Sequence, residues 1–151
     1  MAFVQKLFGF HGRLRRRDFW LLFILMIGVS TALAFAVRRG VGLAPDDPWM
    51  SALNLVTAWP MMAIAIKRLH DRDRSGWLVI VIWAQTAVSI FAAQYPGSRL
   101  QVIAQVLFVL VQLWMLIDLG ILDGTKGPNR YGASPKGLGV PTDGELDEVF
   151  A

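Results

Sequence analysis

Four long apolar stretches, separated by short charged segments, dominate the 151-residue sequence. A helix needs about 20 residues to cross the ~30 Å hydrocarbon core of a bilayer, and each stretch is near that length. The pattern therefore predicts an all-α integral membrane protein, a four-helix bundle with four spans. The predicted spans cover residues 19–37, 49–66, 77–93 and 100–122.

The second apolar stretch is the least regular of the four. Asn54 and Thr57 interrupt it, and Pro60 predicts a kink, because proline removes a helical hydrogen bond. We expect the ends of this helix to extend into the flanking residues. A short turn at Pro96 and Gly97 separates the third stretch from the fourth.

The composition favours a membrane protein over a soluble bundle. Apolar residues make up 55% of the chain and charged residues 17%. A soluble all-α bundle is the alternative, since a buried core helix can also be apolar all round. Four such stretches leave too few polar faces for a water-soluble surface. The chain has no cysteine, which excludes disulfides, thiolate metal sites and cysteine nucleophiles.

The basic residues predict the orientation of the chain. Twelve of the fifteen Lys and Arg residues precede the first span, lie between the second and third, or follow the fourth. Because cytoplasmic loops carry the excess of Lys and Arg, both termini and the central loop are predicted to face the cytoplasm. The basic start and "ALAFA" at residues 32–36 also resemble a cleavable signal peptide. However, the first apolar stretch is longer than such peptides use, and further spans follow.

The two ends of the chain have different character. Phe3, Val4, Leu7 and Phe8 fall on one helical face before a basic cluster, which predicts an N-terminal interfacial segment. Basic residues near an anionic leaflet contribute about 1 kcal/mol each, so anionic membrane lipids are the expected partners. No nucleic-acid partner is expected, since nothing resembles a base-reading motif. Residues 1–137 form a single predicted membrane domain, and the acidic residues 138–151 a disordered tail.

Several polar or small residues within the spans have two interpretations each. Gln101, Gln105 and Gln112 share one helical face, where they either bond to neighbouring helices or line a transport path. A strip of small residues permits close helix approach, inside the bundle or between protomers of a homo-oligomer. The strip consists of Gly28, Ala32 and Ala36.

Asp118 lies about one turn inside the predicted cytoplasmic end of the fourth span. An acid at that depth needs a partner or water. Lys67, Arg68 or the basic cluster at residues 13–17 are the predicted partners.

His70 and Asp71 are adjacent in the loop between the second and third spans, a pair that suits acid–base chemistry or metal binding. The chain has one other histidine, His11, and Ser75 is the only nearby hydroxyl. We therefore assign no catalytic residue, metal or cofactor, and expect a loop held by Arg–Asp pairs. The Gly- and Pro-rich segment 123–139 is predicted to be an irregular cytoplasmic tail that lacks a phosphate-binding motif.

Three segments together, "FHGRLRRRDFW", "RLHDRDRSGW" and "GTKGPNRYGASP", resemble in order and spacing the domain-of-unknown-function 805 family of small bacterial inner-membrane proteins. The resemblance extends over residues 8–135. Asp73, Leu78 and Ser134 depart from it, where similar proteins usually have Gly, Trp and Asp. The matching positions are Gly12, Arg13, Arg16, Asp18, Phe19 and Trp20; Arg68, Leu69, His70, Asp71, Arg74, Ser75, Gly76 and Trp77; and Gly124, Thr125, Gly127, Asn129, Arg130, Tyr131, Gly132 and Pro135.

The resemblance implies an inner-membrane helical protein whose recurrent polar residues lie on one face, but it brings no established activity. We expect the three motifs to pack as a cytoplasmic cap, with Arg13 or Arg130 paired to Asp71 or Asp18. The cap supplies the candidate binding residues. These are Arg13, Arg16, Arg68, His70, Asp71, Arg74, Asn129, Arg130 and Tyr131.

The predicted function is a non-enzymatic module that binds lipid headgroups or a membrane-protein partner through this cap. One alternative is a channel or transporter component that uses the glutamine face and Asp118. The other is an enzyme that acts on a phosphorylated headgroup with His70 and Asp71.

Overall fold

The computed structural model describes residues 7–42, 44 and 47–137, and within these the regular structure is helical. Two long helices come first, then a 3-10 turn that leads into a third helix, and last a fourth helix whose end continues as a π-helical segment. Their bounds are Arg16–Val41 (α1), Pro48–Asp71 (α2), Gly76–Leu78 (the 3-10 turn), Val79–Ala92 (α3), Arg99–Met115 (α4) and Leu116–Ile121 (the π segment). The predicted all-α class is therefore confirmed.

Each predicted span coincides with one helical stretch, and α2 extends beyond residues 49–66 at both ends, as expected. Helix α1 and the continuous stretch Arg99–Ile121 are long and apolar enough to cross a membrane. The stretch Gly76–Ala92 is apolar but shorter. Phe3 and Val4 of the predicted interfacial segment and the acidic tail 138–151 lie outside the described residues.

Local sequence signals set the helix ends. Asp47 precedes α2 and its carboxylate accepts a hydrogen bond from the Trp49 N–H at 3.0 Å. Ser98 does the same for α4, accepting from the Gln101 N–H at 3.2 Å. Helix α1 ends at Gly42, whose left-handed backbone (φ 73°) suits glycine.

Buried apolar side chains concentrate where α1 begins and α2 ends. The helices pack in two pairs, α1 with α2 and α3 with α4. The pairs meet mainly through the 3-10 turn, which lies against α2, and the π segment, which lies against α1. The core consists of Leu7, Leu14, Phe19, Leu22, Met26, Ile64, Leu69, Met115 and Leu119.

Within the part of the chain that the structure describes, the small-residue strip of α1 does not lie at a helix contact. Gly28, Ala32 and Ala36 are exposed, and a Cβ built on Gly28 would meet no atom within 4 Å. The expectation of a close contact inside the bundle is therefore wrong, because the spacing shows where helices can approach but not which neighbour does. On the glutamine face, Gln101 accepts a hydrogen bond from the Gly97 N–H at 2.8 Å, and Gln105 is exposed.

Candidate functional site

The three sequence motifs meet at one end of the bundle, and we call residues 12–20, 68–77 and 124–135 together the cap. The Leu14 N–H donates to the Lys67 carbonyl at 3.2 Å, beside the start of the second motif. The Thr125 N–H donates to the Asp71 carbonyl at 2.8 Å, which joins the third motif to the second. The motifs are thus in direct backbone contact, as the cap hypothesis requires.

A buried carboxylate lies at the centre of the cap. Asp71, 2% exposed, pairs with Arg13 through Arg13 Nε and Asp71 Oδ1 at 3.1 Å, and also with Arg68 through Arg68 Nη1 and Asp71 Oδ2. Arg68 is fully buried, which lowers its pKa, while the Asp71 carboxylate opposes that shift. One acid thus serves two guanidinium groups, so their other donors need different acceptors.

Backbone carbonyls accept most of the remaining hydrogen bonds of Arg13. Its two terminal nitrogens donate to the carbonyls of Thr125 and Gly127, each at 2.7 Å, and more weakly to that of Gly132 at 3.3 Å. All three acceptors belong to the third motif. Arg13 therefore holds the irregular 124–132 loop against the start of α1.

The carbonyls at the end of the π segment are capped by side chains in the same way. Arg68 Nε donates to Leu119 O at 2.7 Å, and Trp20 Nε1 donates to Gly120 O at 2.9 Å. Arg16 donates to Ile121 O at 2.8 Å. A helix end leaves carbonyls unpaired and carries partial negative charge, so cationic donors satisfy both requirements.

Two glycines permit this close packing. A Cβ added at Gly124 would overlap the Asp71 carboxylate, and one at Gly120 would lie 2.6 Å from Trp20 Cζ2. Side chains at these positions would push the third motif and the π segment away from their partners. Gly124, which begins the third motif, is thus required by its approach to Asp71.

His70 lies half-buried at the side of the cap. Its ring stacks on Tyr131 with 3.8 Å between centroids and 7° between planes, and Nδ1 is 3.3 Å from the Gly12 carbonyl. Burial lowers the pKa of His70, and the charges of His11 and Arg130 lower it further, against the effect of the Gly12 carbonyl. The folded chain therefore favours the neutral form of His70 over the protonated one more than the unfolded chain does.

The end of α2 explains one departure from the family pattern. The Arg74 N–H donates to Leu69 O at 2.9 Å and the Asp73 N–H to His70 O at 3.0 Å, the two hydrogen bonds of a Schellman motif. Asp73 takes the left-handed backbone at φ 56°, which favours glycine but which aspartate also adopts. Asn129 Nδ2 also donates to His70 O, at 2.9 Å.

Asp118 pairs with different residues from those expected. It is 2% exposed and lies 3.3 Å from Arg72 Nη2 and 3.4 Å from Arg74 Nη2. The prediction of Arg68 as its partner is wrong, because Arg68 is already engaged by Asp71 and the carbonyls of the π segment.

Six of the nine candidate binding residues form a buried and an exposed group, and the other three, His70, Asn129 and Tyr131, are half-buried. Arg13, Arg68 and Asp71 are buried, and their charged groups are bound by ion pairs and hydrogen bonds within the chain. Arg16, Arg74 and Arg130 keep 49%, 42% and 59% of their side chains exposed. Arg130 pairs at 3.2 Å with Asp73, which is itself 46% exposed. The exposed group can contact a ligand; the buried group positions the segments that carry it.

Sequence reasoning missed one part of this arrangement, the capping of the π segment by Arg16, Trp20 and Arg68. The first two occur in the first motif and the third in the second, but their acceptors are backbone carbonyls that no motif marks. One signal in the sequence could have indicated this contact. The fourth span is predicted to end near residue 122, and the last carbonyls of a buried helix end need hydrogen-bond donors, which nearby basic residues can supply.

Within the residues that the structure describes, the fold and the cap define a small helical protein with two helices long and apolar enough to cross a membrane and a polar cluster at one end. The family model described as "Protein of unknown function (DUF805)" matches residues 7–133, so the chain belongs to this family and the resemblance is confirmed.

Relatives from Escherichia coli (strain K12) support the membrane assignment. The chain is 36% identical to "Uncharacterized protein YiiR" over 145 residues, which is 95% of this chain and 97% of that protein. It is 31% identical to "Inner membrane protein YhaI" over 138 residues (90% and 93%). Identity to "Inner membrane protein YhaH" is 27% over 132 residues (85% and 88%). No solved structure matches the chain.

Proposed function

We propose that the protein is a four-span bacterial inner-membrane protein with both termini in the cytoplasm, whose cap binds anionic lipid headgroups. One observation carries the proposal: the buried charges of the cap are consumed internally, whereas its exposed charges on the described residues are mainly basic. Such a surface attracts an anionic leaflet by about 1 kcal/mol per basic residue. The names of two relatives, inner membrane proteins, support the location.

The topology is testable because the chain has no native cysteine. Single cysteines at exposed positions report which side of the membrane each loop faces: His11→Cys before α1, Gln94→Cys between α3 and α4, and Lys126→Cys in the third motif. In spheroplasts, a membrane-impermeant maleimide is expected to label Gln94→Cys, and the other two only after lysis. Labelling of His11→Cys or Lys126→Cys in intact spheroplasts would overturn the orientation.

The headgroup proposal needs a matched pair of charge-removing variants. Arg74→Gln with Arg130→Gln removes two exposed charges from the cap, while Arg38→Gln with Arg39→Gln removes two from the far end of α1. In detergent, each protein is titrated with phosphatidylglycerol and with phosphatidylcholine. Only the cap variant is expected to lose preference for phosphatidylglycerol, by at least about tenfold. Equal loss in both variants, or in neither, would contradict headgroup binding at the cap.

The two alternatives receive less support from the geometry. An enzyme using His70 and Asp71 needs both side chains in the wall of a pocket, but Asp71 is buried between two arginines. A transporter needs a polar path, but the cavity that Gln112 lines is otherwise apolar. A membrane-protein partner remains compatible with the exposed cap residues, and it would show as a co-purifying protein in the same experiment.

A further inference from the structure

An apolar cleft of about 520 Å³ lies among the four helices, directly beside the cap. Every helix contributes to its wall, and among the described residues that line it Gln112 alone has an amide or charged side chain. Its volume is within the ~300–1,000 Å³ typical of sites for small molecules. The wall includes Phe23 from α1, Met61 and Met62 from α2, Trp83 from α3, Met115 from α4 and Leu119 from the π segment.

A second, basic pocket of about 540 Å³ adjoins the cleft. Arg16 and Arg17 line it together with Leu21, and Trp20 forms part of the wall of both pockets. Both arginines are exposed. Arg16 donates a hydrogen bond to Ile121 O at 2.8 Å and lies 3.8 Å from the exposed carboxylate of Asp123. No hydrogen bond or ion pair is described for Arg17. Positive charge is thus available next to an apolar space.

The cleft is partly open at the surface of the bundle. The two helix pairs meet mainly at the cap end, where the π segment contacts α1 and the 3-10 turn contacts α2. Leu21 and Leu116 lie exposed near this junction, one in the wall of each pocket. An apolar cavity that opens toward lipid is filled by apolar chains more readily than by water.

We propose that the cleft holds one acyl chain of an anionic phospholipid whose phosphate is bound by Arg16 and Arg17. The inference rests on the proposed function for its membrane location and for lipid as the ligand. Charge complementarity selects the occupant: basic pockets between membrane helices on the cytoplasmic side bind anionic headgroups, and the adjoining cleft matches the chain attached to them. Trp20, between the two pockets, lies where headgroup and chain join.

The test uses phosphatidylglycerol with brominated acyl chains, because bromine quenches nearby tryptophan fluorescence. Trp20 and Trp83 line the cleft, so a single equivalent of this lipid in detergent is expected to quench them. Trp83→Phe removes part of the quenching, whereas Trp77→Phe, at a 77% exposed position, does not. Equal quenching in both variants would overturn the assignment of the chain to the cleft.

A blocking variant tests the same site without a probe tryptophan. Ala58→Phe fills the cleft, since Ala58 lines it, and Ala36→Phe adds the same ring at an exposed position of α1. Mass spectrometry in mild detergent is expected to find one retained phosphatidylglycerol per chain in wild type and Ala36→Phe and none in Ala58→Phe. A lipid-free wild-type dimer that Ala58→Phe makes monomeric would show that a second copy fills the cleft and overturn the proposal.

The charge requirement separates this proposal from headgroup binding at the wider cap. Arg16→Gln with Arg17→Gln is expected to weaken binding of the brominated lipid at least about tenfold, with inorganic phosphate unable to compete. Phosphatidylcholine that binds the cleft equally well would overturn the anionic part. If Arg74→Gln with Arg130→Gln loses headgroup preference while Ala58→Phe still retains lipid, the cleft proposal fails and the headgroup proposal stands.

Discussion

The cap and the opposite, apolar part of the same helices differ in which side chains they bury and which they expose. In the cap, Arg68 and Asp71 are at most 2% exposed, although charged side chains are almost never fully buried unless paired. In the apolar part, which we define as residues 21–41, 49–63 and 80–112, Ile24 is 62% exposed and Val102 57%. The arrangement is the reverse of that in a soluble protein, with charge inside and apolar surface outside.

The difference teaches where the stabilising contacts lie. An apolar side chain surrounded by lipid gains little by moving against another helix, because lipid tails are as apolar as leucine. The apolar part therefore supplies the fit to the bilayer but little specificity. The cap therefore contributes most to how the helices are arranged, since Arg16 of α1 and Arg68 of α2 both bond to the π segment through directional hydrogen bonds.

The largest expected effect follows from neutralising the central acid of the cap. Asp71→Asn leaves Arg13 and Arg68 buried without a counter-charge, which is expected to lower the free energy of unfolding by about 3–5 kcal/mol. Asp123→Asn, whose side chain is 58% exposed beside Arg16, is the matched control and should change it by less than about 1 kcal/mol. Unfolding in detergent, followed by near-ultraviolet circular dichroism, measures both; similar losses would argue against a cap that dominates stability.

An isoleucine pair compares the two regions directly. Ile64 is fully buried near the cap, and Ile24 is 62% exposed in the apolar part. Ile64→Ala is expected to destabilise the protein by about 3 kcal/mol through lost contacts and a cavity, and Ile24→Ala by well under about 1 kcal/mol. The same unfolding assay applies. Equal effects would mean that the apolar part is packed as tightly as the core, through contacts with another chain.

A glycine pair gives effects of opposite sign. Gly124→Ala places a Cβ against the Asp71 carboxylate and is expected to cost about 1–3 kcal/mol of stability. Gly28→Ala meets no neighbour within 4 Å in the middle of α1, so it should gain about 0.5–1 kcal/mol from helix propensity. A destabilised Gly28→Ala would place a second helix on the small-residue strip and revive the expectation of a protomer contact there.

The sequence predicts the helices well and the contacts of the cap only in part. The four apolar stretches carry their signal locally, so the positions of the helices follow from the hydrophobic pattern, although α1 and α2 extend beyond the predicted residues 19–37 and 49–66. The Arg13–Asp71 pair was among the expected pairs, because the resemblance brought the first two motifs together.

The contacts that the sequence did not predict join segments that are far apart in the chain and meet only in the folded structure. The partners of Asp118 follow from the prior engagement of Arg68, and the π segment from the donors that meet its carbonyls. Neither leaves a pattern in sequence spacing. The departure at Asp73 is intermediate: the family preference for glycine hints at a left-handed backbone, which the structure has at φ 56°.

The smallest expected effect is a pH dependence confined to the cap, since the apolar part carries few titratable groups. The pKa of folded His70 is lowered below its ordinary value of 6.5, chiefly by burial. Stability from neutral His70 is therefore complete above about pH 6.5 and is lost as the pH falls through the lowered pKa. Unfolding measured between pH 7.5 and 5.5 is expected to show this loss in wild type and much less of it in His70→Gln. An unchanged slope in His70→Gln would assign the pH dependence to another group and leave the His70–Tyr131 stack as a packing contact alone.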